Sequence, residues 1–282
     1  MVLKIIDPKT PIVICDIGAA EVDTHQNFIN NLFNNTNSII YGFEPNKDEY
    51  SKLEQTEKCI YFNTALGDGN EKDFIFFNAS GMNSFLEPNN NYLNLFQGFD
   101  QWTKIVKRAP IKTEKLDNIK FRHKIDIFKI DAQGSESEII EHGKKKISEA
   151  LCVQIEASPT PLYSGEKTFS SISKQLEDLG FTLHMFNDIH TRPFKPMTFL
   201  PNNPFVGLNH IFQLDCVFVK NIDFLLKLEN EELSKITLIL FYCFKSYDLV
   251  HVLISELEKR VNKNLIEDYQ KIVSKLKIEK KY

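Results

Sequence analysis

The stretch DIFKIDAQGSESEIIEHG, Asp126 to Gly143, constrains this chain more than any other. An apolar run ends in the acidic Asp131, passes through a Gln133-Gly134 turn and opens a helix whose first turn is acidic. Read in order, that is a buried strand, a tight turn and a helix, the unit from which open α/β sheets are built. Such sheets take their ligands at the carboxyl ends of their strands. Glutamates in the first turn complement the helix dipole, and Gly143 supplies the stop. A similar corner lies upstream at DIGAAEV, Asp16 to Val22, and two further apolar runs end in carboxylates, SIIYGFE at Glu44 and LCVQIE at Glu156. Acids gathered at strand ends point to a nucleoside-bearing cofactor.

The alternation continues from residue 11 to about 220. Strands are expected at Ile12 to Asp16, Ile39 to Glu44, Cys59 to Thr64, Phe74 to Asn78, Ile125 to Asp131, Cys152 to Glu156, Thr182 to Phe186 and Phe212 to Val219. Most are continuously apolar, as strands covered on both faces must be. The fold class is therefore α/β, a doubly wound mixed sheet. Residues 79–110 and 187–210 break the rhythm as irregular excursions that overhang a cleft, the first of them partly helical. From about residue 222 the chain lacks proline and glycine and repeats apolar residues at helical spacing, which predicts a helical appendage. The expected division is 1–220 for the α/β domain and 221–282 for a helical bundle that packs on it or mediates self-association as a homo-oligomer.

Composition excludes some functions. With 282 residues, 42% hydrophobic and 26% charged, the chain buries one sizeable core, and its formal net charge of −4 offers no global field for nucleic acid or anionic lipid. No apolar run approaches the roughly 20 residues of a membrane span. Five widely separated cysteines without a CxxC pair read as reduced core residues, and a cytoplasmic location is expected.

The corner at Gly18 lets backbone approach a ligand closely, but the full G-x-G-x-x-G for pyrophosphate contact is absent. Glu44 is placed to accept both hydroxyls of a ribose, or to cap the helix starting at Pro45. The turn after Asn63-Thr64-Ala65-Leu66 is placed to present backbone to an adenine edge. His184, Asp188 and His190 match no strong ligand spacing, so no metal is expected. Tyr92, Phe96, Phe99 and Trp102, spaced three to four apart, read as the packed face of a short helix ahead of a sugar-stacking wall. His25 faces either cofactor or solvent, His142 closes its helix, and Lys144 to Lys146 form a solvated helix end.

In this order the motifs resemble the FkbM family of S-adenosylmethionine-dependent methyltransferases: DIGA at 16–19, YGFEPN at 41–46, NTALGD at 63–68, FKIDAQGSESEIIEHG at 128–143 and VQIEAS at 153–158. The likeness covers roughly residues 10–220. It implies a Rossmann-like methyltransferase sheet and S-adenosylmethionine as cofactor, held by Asp16, Gly18, Ala19, Glu44, Pro45, Ala65, Leu66, Asp131, Ala132 and Gln133. It also implies O-methylation of a hydroxyl on a sugar, glycan or secondary-metabolite acceptor. A sulfonium is positively charged, so a carboxylate-lined rim suits it better than it suits a pyrophosphate. Asp131 and Glu156 are the candidate catalytic residues, as bases for the hydroxyl proton. The alternatives are a nicotinamide-dependent oxidoreductase and a non-catalytic methyltransferase-like module.

Overall fold

The structure is a computed structural model describing residues 6–20, 27–200, 202–261 and 263–276. Its ten strands are β1 (Ile12–Ile17), β2 (Ser38–Phe43), β3 (Cys59–Phe62), β4 (Ala65–Leu66), β5 (Glu71–Phe77), β6 (Ile105–Glu114), β7 (Ile127–Ile130), β8 (Cys152–Ala157), β9 (Phe181–Thr191) and β10 (Ile211–Lys220). Seven form one sheet in the order β3-β2-β1-β7-β8-β10-β9. The pairings β3-β2, β2-β1, β1-β7 and β7-β8 are parallel, whereas β10 runs antiparallel to both β8 and β9. This is the expected mixed, doubly wound sheet, with its strand order reversing between β1 and β7. Parallel neighbours whose helical connections lie on opposite faces leave a crevice there, at the carboxyl ends.

Alternation along the strands separates the two faces. Val13, Cys15 and Ile17 of β1, with Phe128, Ile130, Val153, Ile155, Cys216 and Phe218, join Ile139, Ile140, Ile172 and Leu176 from the helices Glu136–His142 and Phe169–Asp178 in one core. On the opposite face Ile12, Ile14, Ile40, Ile127, Cys152, Val217 and Val219 pack with residues of the helices Asn230–Phe244 and Tyr247–Arg260. The C-terminal helices thus share a core with the sheet. The ITLILFYCF run is apolar all round because the Asn230–Phe244 helix is enclosed on nearly every side, between the sheet, the Asn27–Asn35 helix and its own successor. Residue 220, where a boundary was expected, is the last of β10, and the one-turn helix Ile222–Leu225 follows. No helix among the described residues is long and apolar enough to cross a membrane.

The largest difference from the sequence reading lies at residues 65–114. Phe74 to Phe77 is extended, as expected, within β5, which belongs to a second, three-stranded sheet ordered β4-β6-β5. Its long strand β6 was hidden because VKRAPIKTE alternates without an apolar run, being exposed along most of its length. Of the aromatic set, Phe96 and Phe99 are buried and Tyr92 and Trp102 pack partly buried against them, with Phe212, as core. Lys144 to Lys146 open the helix Lys144–Glu149 rather than ending one, and the Asp117 carboxylate accepts the backbone N–H groups of Lys145 and Lys146, offsetting cations at the positive end of that helix. The described cysteines are unpaired, Cys59 half-buried and the rest buried.

Candidate active site

A polar layer interrupts the second, otherwise apolar, sheet face near the carboxyl ends. Asp16, Lys129 and Gln154 stand side by side in register on β1, β7 and β8. Lys129 Nζ donates to Gly18 O at 2.7 Å and lies 3.2 Å from Asp16 Oδ1 and 3.7 Å from Asp131 Oδ2. Burial works against its charge, yet the Asp16 and Asp131 carboxylates outweigh this and hold Lys129 above the ordinary lysine range. Asp16 is buried and raised by desolvation, with Lys129 opposing; its Oδ1 makes no well-directed hydrogen bond, so the contact is an ion pair.

Above this layer opens a cavity of about 330 Å³. Its rim takes Gly18 from the turn after β1, Glu44, Pro45 and Asn46 after β2, and Thr64, Ala65 and Leu66 at the start of β4. Asp131, Ala132 and Gln133 come from the turn after β7, and Glu156 from β8. Ser80, Gly81 and Phe85 of the first excursion and His190 and Arg192 near the second also line it, so both overhang the cleft as expected. Of the residues singled out in the sequence, Gly18, Glu44, Pro45, Ala65, Leu66, Asp131, Ala132, Gln133 and Glu156 meet at one cavity. Asp16 and Ala19 stand apart from its wall: Asp16 lies beneath it on Lys129, and Ala19 is buried with its N–H on Phe43 O. His25, with Glu21 and Val22, lies outside the described residues.

Gly18 is required by geometry. Its φ is +78°, and a Cβ there would lie 1.9 Å from the Asp131 carbonyl oxygen. Gly18→Ala is expected to cost about 3 kcal/mol or more through left-handed strain and the collision with backbone; a melting temperature within about 2 °C of the parent would contradict this close approach.

Glu44 is 6% exposed. Its Oε1 accepts the Asn46 N–H at 2.7 Å, and burial pushes it up to about 7 against the help of the Asn46 and Ala20 backbone N–H groups. A carboxylate offers about four acceptor sites, so two backbone donors leave capacity for vicinal hydroxyls. The capping role goes to Asn46, whose side chain accepts the Asp48 N–H.

The Gln133-Gly134 turn is fixed from several sides. Gln133 adopts φ +47°, unusual for a side chain with a Cβ, and Gly134 follows at +96°. Glu136, fully buried, accepts the N–H groups of Ala132 and Gly134, and Ser84 donates to Gln133 O. The Gln133 amide then links the acids: Nε2 donates to Asp131 Oδ1 at 2.8 Å and Glu156 Oε2 at 3.1 Å, and Oε1 accepts from the Tyr163 hydroxyl at 3.0 Å. Glu156 is pushed well above the usual carboxylate range by burial and then by the charges of Asp131 and Asp215. Strained backbone held by surrounding bonds is a feature of sites that position reacting groups.

Burial raises Glu136 to about 8 and Glu44 to about 7. A folded state that holds these protons more tightly than the unfolded chain binds more protons between the two sets of values, so this contribution to stability is present at low pH and lost as pH rises toward 8. The melting temperature is expected to fall by several degrees between pH 5 and pH 8. The fall should be visibly smaller in Glu136→Gln; an equal slope in that variant would show that the buried acid is not its source.

Two residues that the sequence reading passed over, Gln154 and Asp215, and His190, which it set aside, complete the wall. Gln154 and Asp215 come from β8 and β10, and His190 lies on β9 with its Nε2 3.5 Å from Asp215 Oδ2. The Asp215 hydrogen bond, against desolvation, raises the imidazole above its ordinary value. His184, by contrast, bonds the Ser246 hydroxyl at 2.7 Å, away from this group. The missed signal was a polar residue at alternate positions inside an apolar strand: Lys129 in DIFKID, Gln154 in CVQIE, Asp215 in FQLDCVF.

The model of the methyltransferase FkbM domain matches residues 16–183, more than half of the chain and nearly all of the rim just described. The chain belongs to the FkbM methyltransferase family. S-adenosylmethionine is therefore its cofactor, and the donor set fits that group: a deeply buried glutamate with spare acceptor sites at one end of the cavity and further acids at the other. Among curated proteins, none matches the FkbM chain. Among solved structures it is similar to magnesium protoporphyrin IX methyltransferase from Synechocystis PCC 6803 with bound SAM, at 11% identity and TM-score 0.36, covering 75% of this chain and 71% of that one. A likeness of that size decides nothing further.

Proposed function

We propose that the protein O-methylates a hydroxyl group of a sugar, a glycan precursor or a secondary metabolite. The observation that carries this reading is the Gln133 amide joining Asp131 and Glu156 at the cavity end away from Glu44, a polar wall suited to a hydroxylated acceptor. S-adenosylmethionine, when bound, supplies an electrophilic methyl group on a sulfonium. Glu44 would accept the ribose hydroxyls, and Phe43, Ala65, Leu66 and Ile139, which line the same cavity, would flank the adenine. Gln133 holds the two acids in one orientation, and Tyr163 holds Gln133. Burial and the neighbouring acids hold Glu156 well above the usual carboxylate range, so the role of accepting the hydroxyl proton falls to Asp131.

The test is product analysis. The protein with S-adenosylmethionine and a panel of sugars, glycan intermediates and hydroxylated metabolites is expected to yield methyl ethers, identified by mass and by stability to alkali. Products methylated solely on nitrogen or on carboxyl oxygen would overturn this reading. Turnover of none of the panel with cofactor bound would favour a non-catalytic module.

A further inference from the structure

Glu156, Asp215 and Asp188 face one another across β8, β10 and β9: Glu156 is in register with Asp215, and Asp215 with Asp188. Directly opposed like charges destabilise a sheet. Here Glu156 and Asp215 line the cavity that also holds Asp131, with Asp188 next to them outside its wall, and an acidic row does not by itself define a site.

Two independent features give this one a ligand. The first is the donor set. Asp188, His190 and Asp215 each offer one ligand atom, all within 4.8 Å of one another, with His190 Nε2 3.5 Å from Asp215 Oδ2 and 4.0 Å from Asp188 Oδ2. Ligands about 2.1 Å from a common cation stand roughly 3.0 to 4.2 Å apart, so both distances suit one ion without rearrangement of the strands. The second is Gln154. It is 4% exposed and lines the cavity, and its Nε2 donates to Asp215 Oδ1 at 3.2 Å. That bond fixes Asp215 so that its other oxygen meets His190. The Gln154 Oε1 is buried without a hydrogen-bond partner among the described residues. A buried acceptor without a partner is costly to keep, and a bound ion or water at the site accounts for it.

We propose that Asp188, His190 and Asp215 bind one divalent cation at the acceptor end of the cavity, with a cation-bound water or acceptor hydroxyl donating to Gln154 Oε1. This inference rests on the methyl-transfer reading for its purpose but not for its chemistry. Two carboxylates and one imidazole suit Mn²⁺ or Mg²⁺, with Zn²⁺ as competitor, and leave coordination positions open for water or substrate. A hydroxyl on such a cation loses its proton more readily, as water does on a bound metal. That proton passes to Asp131 or to water, leaving the acceptor oxygen anionic and fixed in place. The cation also neutralises the opposed carboxylates of β9 and β10.

The test is a titration of the chelator-treated, full-length protein with Mn²⁺, followed by loss of the free-ion electron paramagnetic resonance signal, alongside calorimetry with S-adenosylmethionine. One Mn²⁺ per chain is expected, displaced by Mg²⁺ or Zn²⁺, with affinity falling at least tenfold in Asp188→Asn and in Asp215→Asn while the cofactor affinity stays within threefold. Circular dichroism checks folding, and the parent titration decides should a variant not fold. Cofactor binding with no Mn²⁺, Mg²⁺ or Zn²⁺ binding, or with cation binding unchanged in both variants, overturns the site and leaves the methyl-transfer reading standing, His190 and Asp215 then being a metal-free ion pair. Stoichiometric cation binding lost in the variants but no cofactor binding supports the site and removes that reading.

Discussion

Glu44→Ala is expected to weaken S-adenosylmethionine binding by at least about 100-fold, because hydrogen bonds to a charged acceptor contribute about 1.5–3 kcal/mol each and two are lost together. Calorimetry on the purified protein reads the change directly. The structure separates this effect from unfolding. Glu44 is an acid that burial pushes up to about 7, so its native environment disfavours the charge that cofactor binding uses. Glu44→Gln keeps an oxygen for the Asn46 N–H and removes the buried charge. It should melt at or above the parent temperature while binding at least tenfold more weakly, a site kept at a cost to stability. An affinity within threefold of the parent in both variants would mean that Glu44 is the helix-start residue its position also permits and nothing more.

The second large effect belongs to Lys129. Removing one partner of a buried ion pair leaves the other uncompensated, at about 3–5 kcal/mol. Lys129 compensates Asp16, contacts Asp131 and bonds the Gly18 carbonyl, so Lys129→Met strands a buried carboxylate and frees the turn opposite Asp131. A fall in melting temperature of roughly 6–10 °C is expected, at about 2 °C per kcal/mol for a chain of this size. Asp16→Asn added to Lys129→Met should restore more than half of the loss, since the stranded charge is gone. Equal melting of the single and double variants would contradict the pairing and would place the cost in packing alone.

Much of the fold was legible because buried parallel strands are continuously apolar and end where the sheet ends. The runs at Ile14, Ile40, Phe128 and Val153 each announced a strand, and the acids after them marked the rim. What the sequence hid follows from the same physics. Strand β6 is exposed on both sides for most of its length, so no apolar period marks it. Asp16 and Glu44 look alike as acids at strand ends, yet one lies under Lys129 and the other lines the cavity, a distinction set by partners from other strands. His184, Asp188 and His190 lie near one another in sequence without a ligand spacing, and the strand pairing brings Asp215 to Asp188 and His190 while His184 bonds Ser246. Ligand sets built across antiparallel neighbours leave no short motif.

The most direct test of the central claim is a crystal structure with S-adenosylhomocysteine. The account predicts the ribose hydroxyls on the Glu44 carboxylate, the adenine beside Ala65 and Leu66, and the sulfur directed toward the end of the cavity where Gln133 joins Asp131 to Glu156. A ligand bound elsewhere, or one lying in this cavity with its ribose away from Glu44, would contradict it.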